Sequence, residues 1–241
     1  TLDAYSVTIE ILIGRYHLWF LPMMVGIYLI LPVLRPFLKE KNEQLVQYLI
    51  FLFFVLKILR DTIVALDMDY AWTIITNIMQ PDLITTYVGY FLLGYYLYHF
   101  EGSKLRNRLI YAGALCSVIL APVCSILLSE HWQKPVSEIY DSFSIFTFLI
   151  SATLFLFFKE HVAKHTFSEK SRRVIEEISA DTLGIYLLHV AILEIAARYG
   201  LTTNSLPAVI SVPLLSIGNF AIGLILAAIL RRIPKIGRFI C

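Results

Sequence analysis

Long apolar stretches alternate with short polar segments along most of the chain. A helix rises about 1.5 Å per residue, so a hydrocarbon core about 30 Å thick requires roughly 20 mostly apolar residues. Seven stretches meet this requirement, and they lie at approximately 17–35, 45–64, 83–100, 108–128, 140–158, 178–197 and 208–230. Helices satisfy their own backbone polar groups, which lipid cannot do. The pattern therefore predicts an all-α fold: one polytopic helical membrane bundle over residues 1–241, with about seven transmembrane helices.

The basic residues are distributed unevenly between the polar segments. The segments after the first, third, fifth and seventh spans hold 15 of the 20 lysines and arginines, namely Arg35, Lys39, Lys41, Lys104, Arg106, Arg108, Lys159, Lys164, Lys170, Arg172, Arg173, Arg231, Arg232, Lys235 and Arg238. Cytoplasmic segments of membrane proteins carry such an excess. The C-terminus is therefore predicted to be cytoplasmic, and residue 1 to lie outside.

Composition supports a membrane protein and excludes other classes. Hydrophobic residues make up 58% of the chain and charged residues only 16%, whereas soluble domains are near half apolar and a quarter charged. A disordered chain, a nucleic-acid binder and a cytosolic enzyme are excluded on this ground. The three cysteines (Cys116, Cys124 and Cys241) have no metal-ligand spacing, so we predict no metal site. The sequence has no P-loop and no Gly-rich dinucleotide turn, and we predict no bound cofactor.

Two histidines near or within the spans are the first candidates for chemistry. His17 lies at the predicted outer mouth of the first span, two residues before Trp19. A histidine exchanges protons near neutral pH, and an indole offers a flat surface for a sugar ring or an acyl group. An aromatic belt at the membrane interface would explain the same residues equally well.

His189 is the second candidate, because it lies about eleven residues into the sixth predicted span, near the bilayer centre. Ionisable groups are costly at that depth, and they commonly mark a functional site. The alternative is a core histidine that is hydrogen-bonded to a neighbouring helix.

A charged group in the second span is the third candidate. Lys57, Arg60 and Asp61 share one face of a helix, since they are spaced three and four residues apart. Lys57 and Arg60 could hold a phosphate or a carboxylate of a substrate in an outward cavity. A local ion pair that reaches the outer interface is the alternative.

Three segments of the chain resemble a known family. The run YHLWFL at 16–21, continued by GIYL at 26–29 and PVLR at 32–35, is similar to a helix of acyltransferase family 3. The run YFLLGYYL at 90–97 and the run TLGIYLLH at 182–189 resemble two further segments of that family, in the family's order. The family comprises integral-membrane enzymes that O-acetylate bacterial surface glycans.

The resemblance implies a reaction and roles for residues. It implies an O-acyltransferase of the bacterial inner membrane, in which cytoplasmic acetyl-CoA donates an acetyl group to a hydroxyl of a surface polysaccharide or a lipid-linked glycan. His17 and His189 would line the reaction cavity, Trp19 would form its stacking wall, and Arg35 would stand near the donor entrance. A transporter or flippase that moves a glycan or acyl intermediate without catalysis would use the same intramembrane charges.

One departure from the family pattern concerns the start of the chain. Family members begin with a helix that bears an Arg and, further along, a catalytic His, and this chain has no counterpart of that pair. The resemblance therefore implies that the 241 residues are the C-terminal seven helices of a longer protein. We expect them to be inactive alone, with the missing histidine as the prime base of the complete enzyme.

Overall fold

Seven helices account for most of the residues that the computed structural model describes, which are 16–39, 41–66 and 86–233. Five of them are uninterrupted α-helices: α1 Phe20–Lys39, α3 Val88–His99, α4 Lys104–Trp132, α6 Glu169–Arg198 and α7 Ala208–Arg231. Helix α2 begins as Glu43–Phe53 and continues through a π-helical segment, Phe54–Leu59, into Arg60–Ala65. Helix α5 is Ile145–Phe157 and continues as a π-helical segment, Phe158–Val162. Two 3₁₀ turns, Tyr16–Trp19 and Glu138–Tyr140, precede α1 and α5. No β-strand occurs within these residues, and the predicted all-α class is confirmed.

Five of the predicted spans coincide with helical segments that are long and apolar enough to cross a membrane, by length and composition. They are His17–Lys39, Lys104–Trp132, Glu138–Val162, Glu169–Arg198 and Ala208–Arg231. The predicted second span is helical over 43–65 and carries the charged group of Lys57, Arg60 and Asp61. The predicted third span is helical over Val88–His99, and its first residues, 83–85, lie outside the described residues. The chain is a multi-pass membrane protein.

Polar side chains set the starts of several helices. Asn42, Ser103, Ser144 and Ser168 each accept a hydrogen bond from a backbone N–H in the first turn of the helix that follows. The cap at Ser168 explains one difference from the predicted boundaries. Helix α6 begins at Glu169, nine residues before the apolar stretch, because a capped and charged segment is a good helix former even without apolar residues.

The chain divides into two compact units. One comprises Pro22–His165, and the other comprises Thr1–Leu21 with Thr166–Cys241. In the second unit α6 packs along α7, and a Cβ added to Gly223 would lie 3.2 Å from a methyl carbon of Ile185. Such close approach at a small residue is typical of helix pairs in membranes.

The core of the Pro22–His165 unit is centred on Phe53 of α2. This ring is fully buried, and it contacts Tyr90, Phe143 and Phe148. A Cβ added to Gly89 would lie 2.2 Å from the Phe53 ring, so only glycine allows α3 to approach α2 this closely. The phenylalanine core therefore holds α2, α3 and α5 together.

The outer faces of the helices are apolar and exposed. Leu115 is 67% exposed, Ile119 60% and Val209 86%. In water so much exposed apolar surface would be unfavourable, whereas hydrocarbon tails cover it without cost. The exposed apolar faces of the helices are thus suited to contact lipid, as in a membrane protein.

Candidate functional site

Helix α6 and the turn Tyr16–Trp19 bring the two predicted histidines together. The ring centroids of His17 and His189 are 5.3 Å apart, and the rings meet edge to face. Tyr186 connects them, because its hydroxyl donates a hydrogen bond to the backbone carbonyl of His17 and its ring lies 5.7 Å from that of His189. Both histidines are partly buried. We call His17, Tyr186 and His189 the histidine site.

The hydrogen bond of His189 determines which ring nitrogen carries the proton. Its Nδ1 lies 2.5 Å from the backbone carbonyl oxygen of Tyr186. A carbonyl oxygen only accepts, so the proton of the neutral ring is on Nδ1. The lone pair is consequently on Nε2. This is the tautomer that a general base uses.

The contact between the rings also changes the expected depth of His17. From the sequence, His17 was predicted at the outer mouth of a span and His189 near mid-membrane. His189 lies nine residues before Arg198, the last residue of α6, which is about 13 Å along the helix axis. His17 contacts its ring and therefore lies at a similar distance from that end of α6.

Trp19 adjoins the histidine site through Phe20. The Phe20 ring lies 6.3 Å from Trp19 and 5.7 Å from Tyr186. The Trp19 side chain is 48% exposed. A stacking role for Trp19 stays a prediction.

Two polar residues of the same unit were not assigned a role from the sequence. Asp181 is 2% exposed, and its Oδ1 lies 3.2 Å from Nε of Arg231, so an ion pair joins α6 to the end of α7.

Asn219 carries a buried Oδ1 that accepts no hydrogen bond from the described residues. Asn219 is one turn from Gly223, and His189 is one turn from Ile185 in α6, so the two antiparallel helices bring Asn219 and His189 to one level. In the sequence, the feature that could have indicated Asn219 is its place as a single Asn in an apolar stretch.

Arg35 lies in the Pro22–His165 unit and lines a cavity of about 870 Å³. We call it the Arg35 cavity, and its other polar lining residues among the described ones are Tyr28, Lys39, Lys41, Tyr95 and His99. The Tyr95 hydroxyl donates to the Leu38 carbonyl oxygen at 2.5 Å, which ties α3 to the end of α1. Lys41 has a left-handed backbone with φ 47°, which costs an L-residue about 1–2 kcal/mol. Lys41, the third cation that lines this cavity, is thus held there by a strained backbone conformation.

Lys57 and Arg60 both pair with Asp61, as the alternative interpretation of the sequence had it. Lys57 Nζ lies 2.8 Å from one carboxylate oxygen of Asp61, and Arg60 Nη1 lies 2.9 Å from the other. Arg60 and Asp61 also line a second cavity of about 600 Å³, together with Trp132. We call this the Trp132 cavity. The ion pairs of the alternative interpretation are present, Arg60 adjoins a cavity that Lys57 does not line, and substrate binding by Lys57 and Arg60 stays a prediction.

A comparison of the sequence with known families gives a match over most of the chain. A family model described as an acyltransferase domain, that of acyltransferase family 3, matches residues 8–231. The chain therefore belongs to acyltransferase family 3, and it is a membrane acyltransferase. No curated protein and no solved structure matches the chain significantly.

Proposed function

We propose that the protein transfers an acetyl group from cytoplasmic acetyl-CoA to a hydroxyl of a surface polysaccharide or a lipid-linked glycan. Its location would be the bacterial inner membrane, with the C-terminus in the cytoplasm. Family membership supports acyl transfer, and the distribution of basic residues supports the orientation. The observation that carries the proposal is the hydrogen bond of His189, which leaves Nε2 as a proton acceptor in a segment typical of the family.

The reaction requires a base and a donor thioester. The acceptor oxygen attacks the thioester carbonyl carbon as the C–O bond forms. We assign the hydroxyl proton to Nε2 of His189, rather than to the upstream histidine that the family resemblance implies as the prime base. The C–S bond then breaks, and the departing thiolate recovers the proton from the imidazolium, which gives the acetyl ester and free CoA. The His189 side chain would be held in place by Tyr186, and His17 would position the acceptor beside it.

Asn219 supports the same role for His189. Its buried amide oxygen accepts no hydrogen bond from the described residues. The contact of Gly223 with Ile185, one turn away in each helix, implies that Asn219 lies at the level of His189. When Nε2 takes up a proton it becomes a donor, and an amide oxygen is a suitable acceptor for it. By accepting this hydrogen bond, the Asn219 amide oxygen would stabilise the imidazolium form of His189.

The Arg35 cavity suits the donor. Coenzyme A carries a diphosphate and a further phosphate, and guanidinium and ammonium groups bind phosphate oxygens through charge-assisted hydrogen bonds. Arg35, Lys39 and Lys41 line this cavity, and they lie in a segment that the charge distribution assigns to the cytoplasm. We infer that the nucleotide part of acetyl-CoA binds there.

The test is acetyl transfer by His189→Gln in the protein expressed from its complete reading frame. Glutamine keeps hydrogen bonding but does not take up a proton, so the transfer rate should fall by about a hundredfold or more. His17→Gln should lower the rate less. The measurement is incorporation of radiolabel from acetyl-CoA into membrane glycan, beside the melting temperature of each variant in detergent.

His161→Gln is the matched control, because His161 is exposed and outside the histidine site. Its rate and melting temperature should equal those of the unmodified protein. If His189→Gln lowers the melting temperature but keeps the rate per folded molecule, His189 is a core histidine and its catalytic role is disproved.

A further inference from the structure

The Trp132 cavity has a lining of mixed charge. Among the described residues, its cations are Arg60 and Lys134, and its carboxylates are Asp61, Glu138 and Asp141. Asp61 is already neutralised, because Lys57 and Arg60 bind its two oxygens at 2.8 and 2.9 Å. The described lining thus has two cations and three carboxylates, and Lys57, which pairs with Asp61 from outside the lining, brings the group to charge balance. A phosphorylated or carboxylated ligand would meet the Glu138 and Asp141 carboxylates and be repelled.

The two remaining carboxylates each have one oxygen engaged and one without a hydrogen bond from the described residues. Glu138 Oε2 accepts from the Ser137 backbone N–H at 2.8 Å, and Asp141 Oδ1 accepts from the Phe143 backbone N–H at 3.0 Å. These bonds orient both side chains. The second oxygens, Oε1 and Oδ2, are then acceptors for hydroxyl groups.

Trp132 adds a flat apolar surface to this lining. Lys134 Nζ lies 5.2 Å from the centroid of the indole ring, and the Lys134 side chain is exposed. An exposed lysine has many rotamers and can be displaced from the ring by a ligand. The cavity therefore offers an apolar surface from the indole, hydrogen-bond acceptors from the carboxylates and donors from the cations. Its volume of about 600 Å³ is within the usual size of small-ligand sites.

The loop that carries these groups is held rigidly against α4. Ser125 Oγ donates to the Val136 carbonyl oxygen at 2.6 Å, and the Val136 N–H donates to Ser129 Oγ at 2.9 Å. Val136 and Ile139 are 3% and 1% exposed and pack against Ala65 and Ala121. A ligand therefore meets a lining that is ordered before binding, which lowers the entropic cost of association.

We propose that the Trp132 cavity binds an uncharged sugar ring of the acceptor glycan, with Trp132 as the platform and with Glu138 and Asp141 as hydroxyl acceptors. A sugar offers alternating hydroxyl donors and acceptors on one face and C–H groups on another, which is the pattern of this lining. The identity of the ligand as the acceptor rests on the proposed function. The binding of a neutral sugar is measurable without acyl transfer.

The experiment is saturation-transfer NMR on the complete protein in detergent. The probes are uncharged trisaccharides of glucose, galactose, mannose and N-acetylglucosamine, and a trisaccharide of galacturonic acid as the anionic probe. At least one neutral probe should bind, and the anionic probe should bind at least tenfold more weakly. Trp132→Ala should weaken binding of the neutral probe at least tenfold, as should the double variant Glu138→Gln with Asp141→Asn.

Tyr140→Ala is the matched control, because Tyr140 is an exposed aromatic residue of the same loop that does not line the cavity. Its binding should stay within twofold of the unmodified protein. Failure of every neutral probe, tighter binding of the anionic probe, or unchanged binding by Trp132→Ala would each overturn the proposal. Sugar binding that depends on Trp132 without any acetyl transfer would instead refute the proposed function and leave the sugar site standing.

Discussion

Helix α2 has a cavity at each end, and the two cavities differ in charge. Lys41 of the Arg35 cavity lies two residues before the helix, and Asp61 of the Trp132 cavity lies near its end. About 27 Å of helix separates Glu43 from Asp61, which is close to the hydrocarbon thickness of a bilayer. Among the described residues, the first cavity is lined by three cations and no carboxylate. The second is lined by two cations and three carboxylates, and Lys57 pairs with Asp61 beside it.

This difference matches the two substrates of the proposed reaction. Coenzyme A is a polyanion and requires cations without competing carboxylates. A neutral glycan requires hydroxyl partners of both kinds and no excess charge. If the proposed function holds, the same helix separates a site for an anion from a site for an uncharged polyol.

The largest expected difference is in cysteine labelling at the two ends of helix α2, in the Pro22–His165 unit. On a background with Cys116, Cys124 and Cys241 replaced by Ser, Lys134→Cys in intact cells should react fully with an impermeant maleimide. Lys39→Cys should react only after the membrane is permeabilised, because it lies in a segment of the basic side. Both positions are exposed, so access is not limited by burial.

Two other labelling outcomes would contradict the comparison in different ways. The reverse pattern would overturn the proposed orientation and keep the cavities on opposite sides. Equal labelling of both cysteines in intact cells would show that the cavities open to the same side.

A large effect is also expected at Gly89, where the core between the cavities is tightest. The Cβ and methyl groups of Gly89→Val would overlap the Phe53 ring, so the free energy of unfolding should fall by about 3 kcal/mol. Donor and sugar binding should decline together, each in proportion to the folded fraction. The measurement is thermal unfolding in detergent beside both binding assays.

Gly26→Val controls for the substitution itself, because a Cβ at Gly26 would meet no atom within 4 Å. Its stability should not decrease. Loss of one ligand with full retention of the other in Gly89→Val would show that the two cavities do not depend on a common core.

A smaller effect is expected from the charges of the Arg35 cavity. Hydrogen bonds to charged groups contribute about 1.5–3 kcal/mol each, so Arg35→Gln with Lys39→Gln should raise the KM for acetyl-CoA by about a hundredfold. The kcat should change little, because neither residue belongs to the histidine site. The KM of the unmodified protein should also rise with salt, since screening weakens phosphate contacts.

Lys134→Gln is the matched variant at the other cavity, and it should leave the KM for acetyl-CoA within twofold. If Lys134→Gln raises this KM as much as the double variant does, the charge difference between the cavities has no bearing on donor binding.

The sequence alone determined the membrane class, the helical fold and the family. Spans are set by local composition and length, so five of the seven predicted spans coincide with long apolar helices to within a few residues, except where α6 begins earlier at its Ser168 cap. Motifs of consecutive residues carried the resemblance that the family match then confirmed.

Only the tertiary structure decided which distant residues meet. His17 and His189 are 172 positions apart, and no periodicity of the sequence indicates that Tyr186 joins them. The Trp132 cavity likewise combines the end of α2 with the loop after α4. Helix formation depends on neighbours along the chain, whereas a site depends on how helices pack, and packing is fixed by contacts such as Gly89 on Phe53 and Gly223 on Ile185.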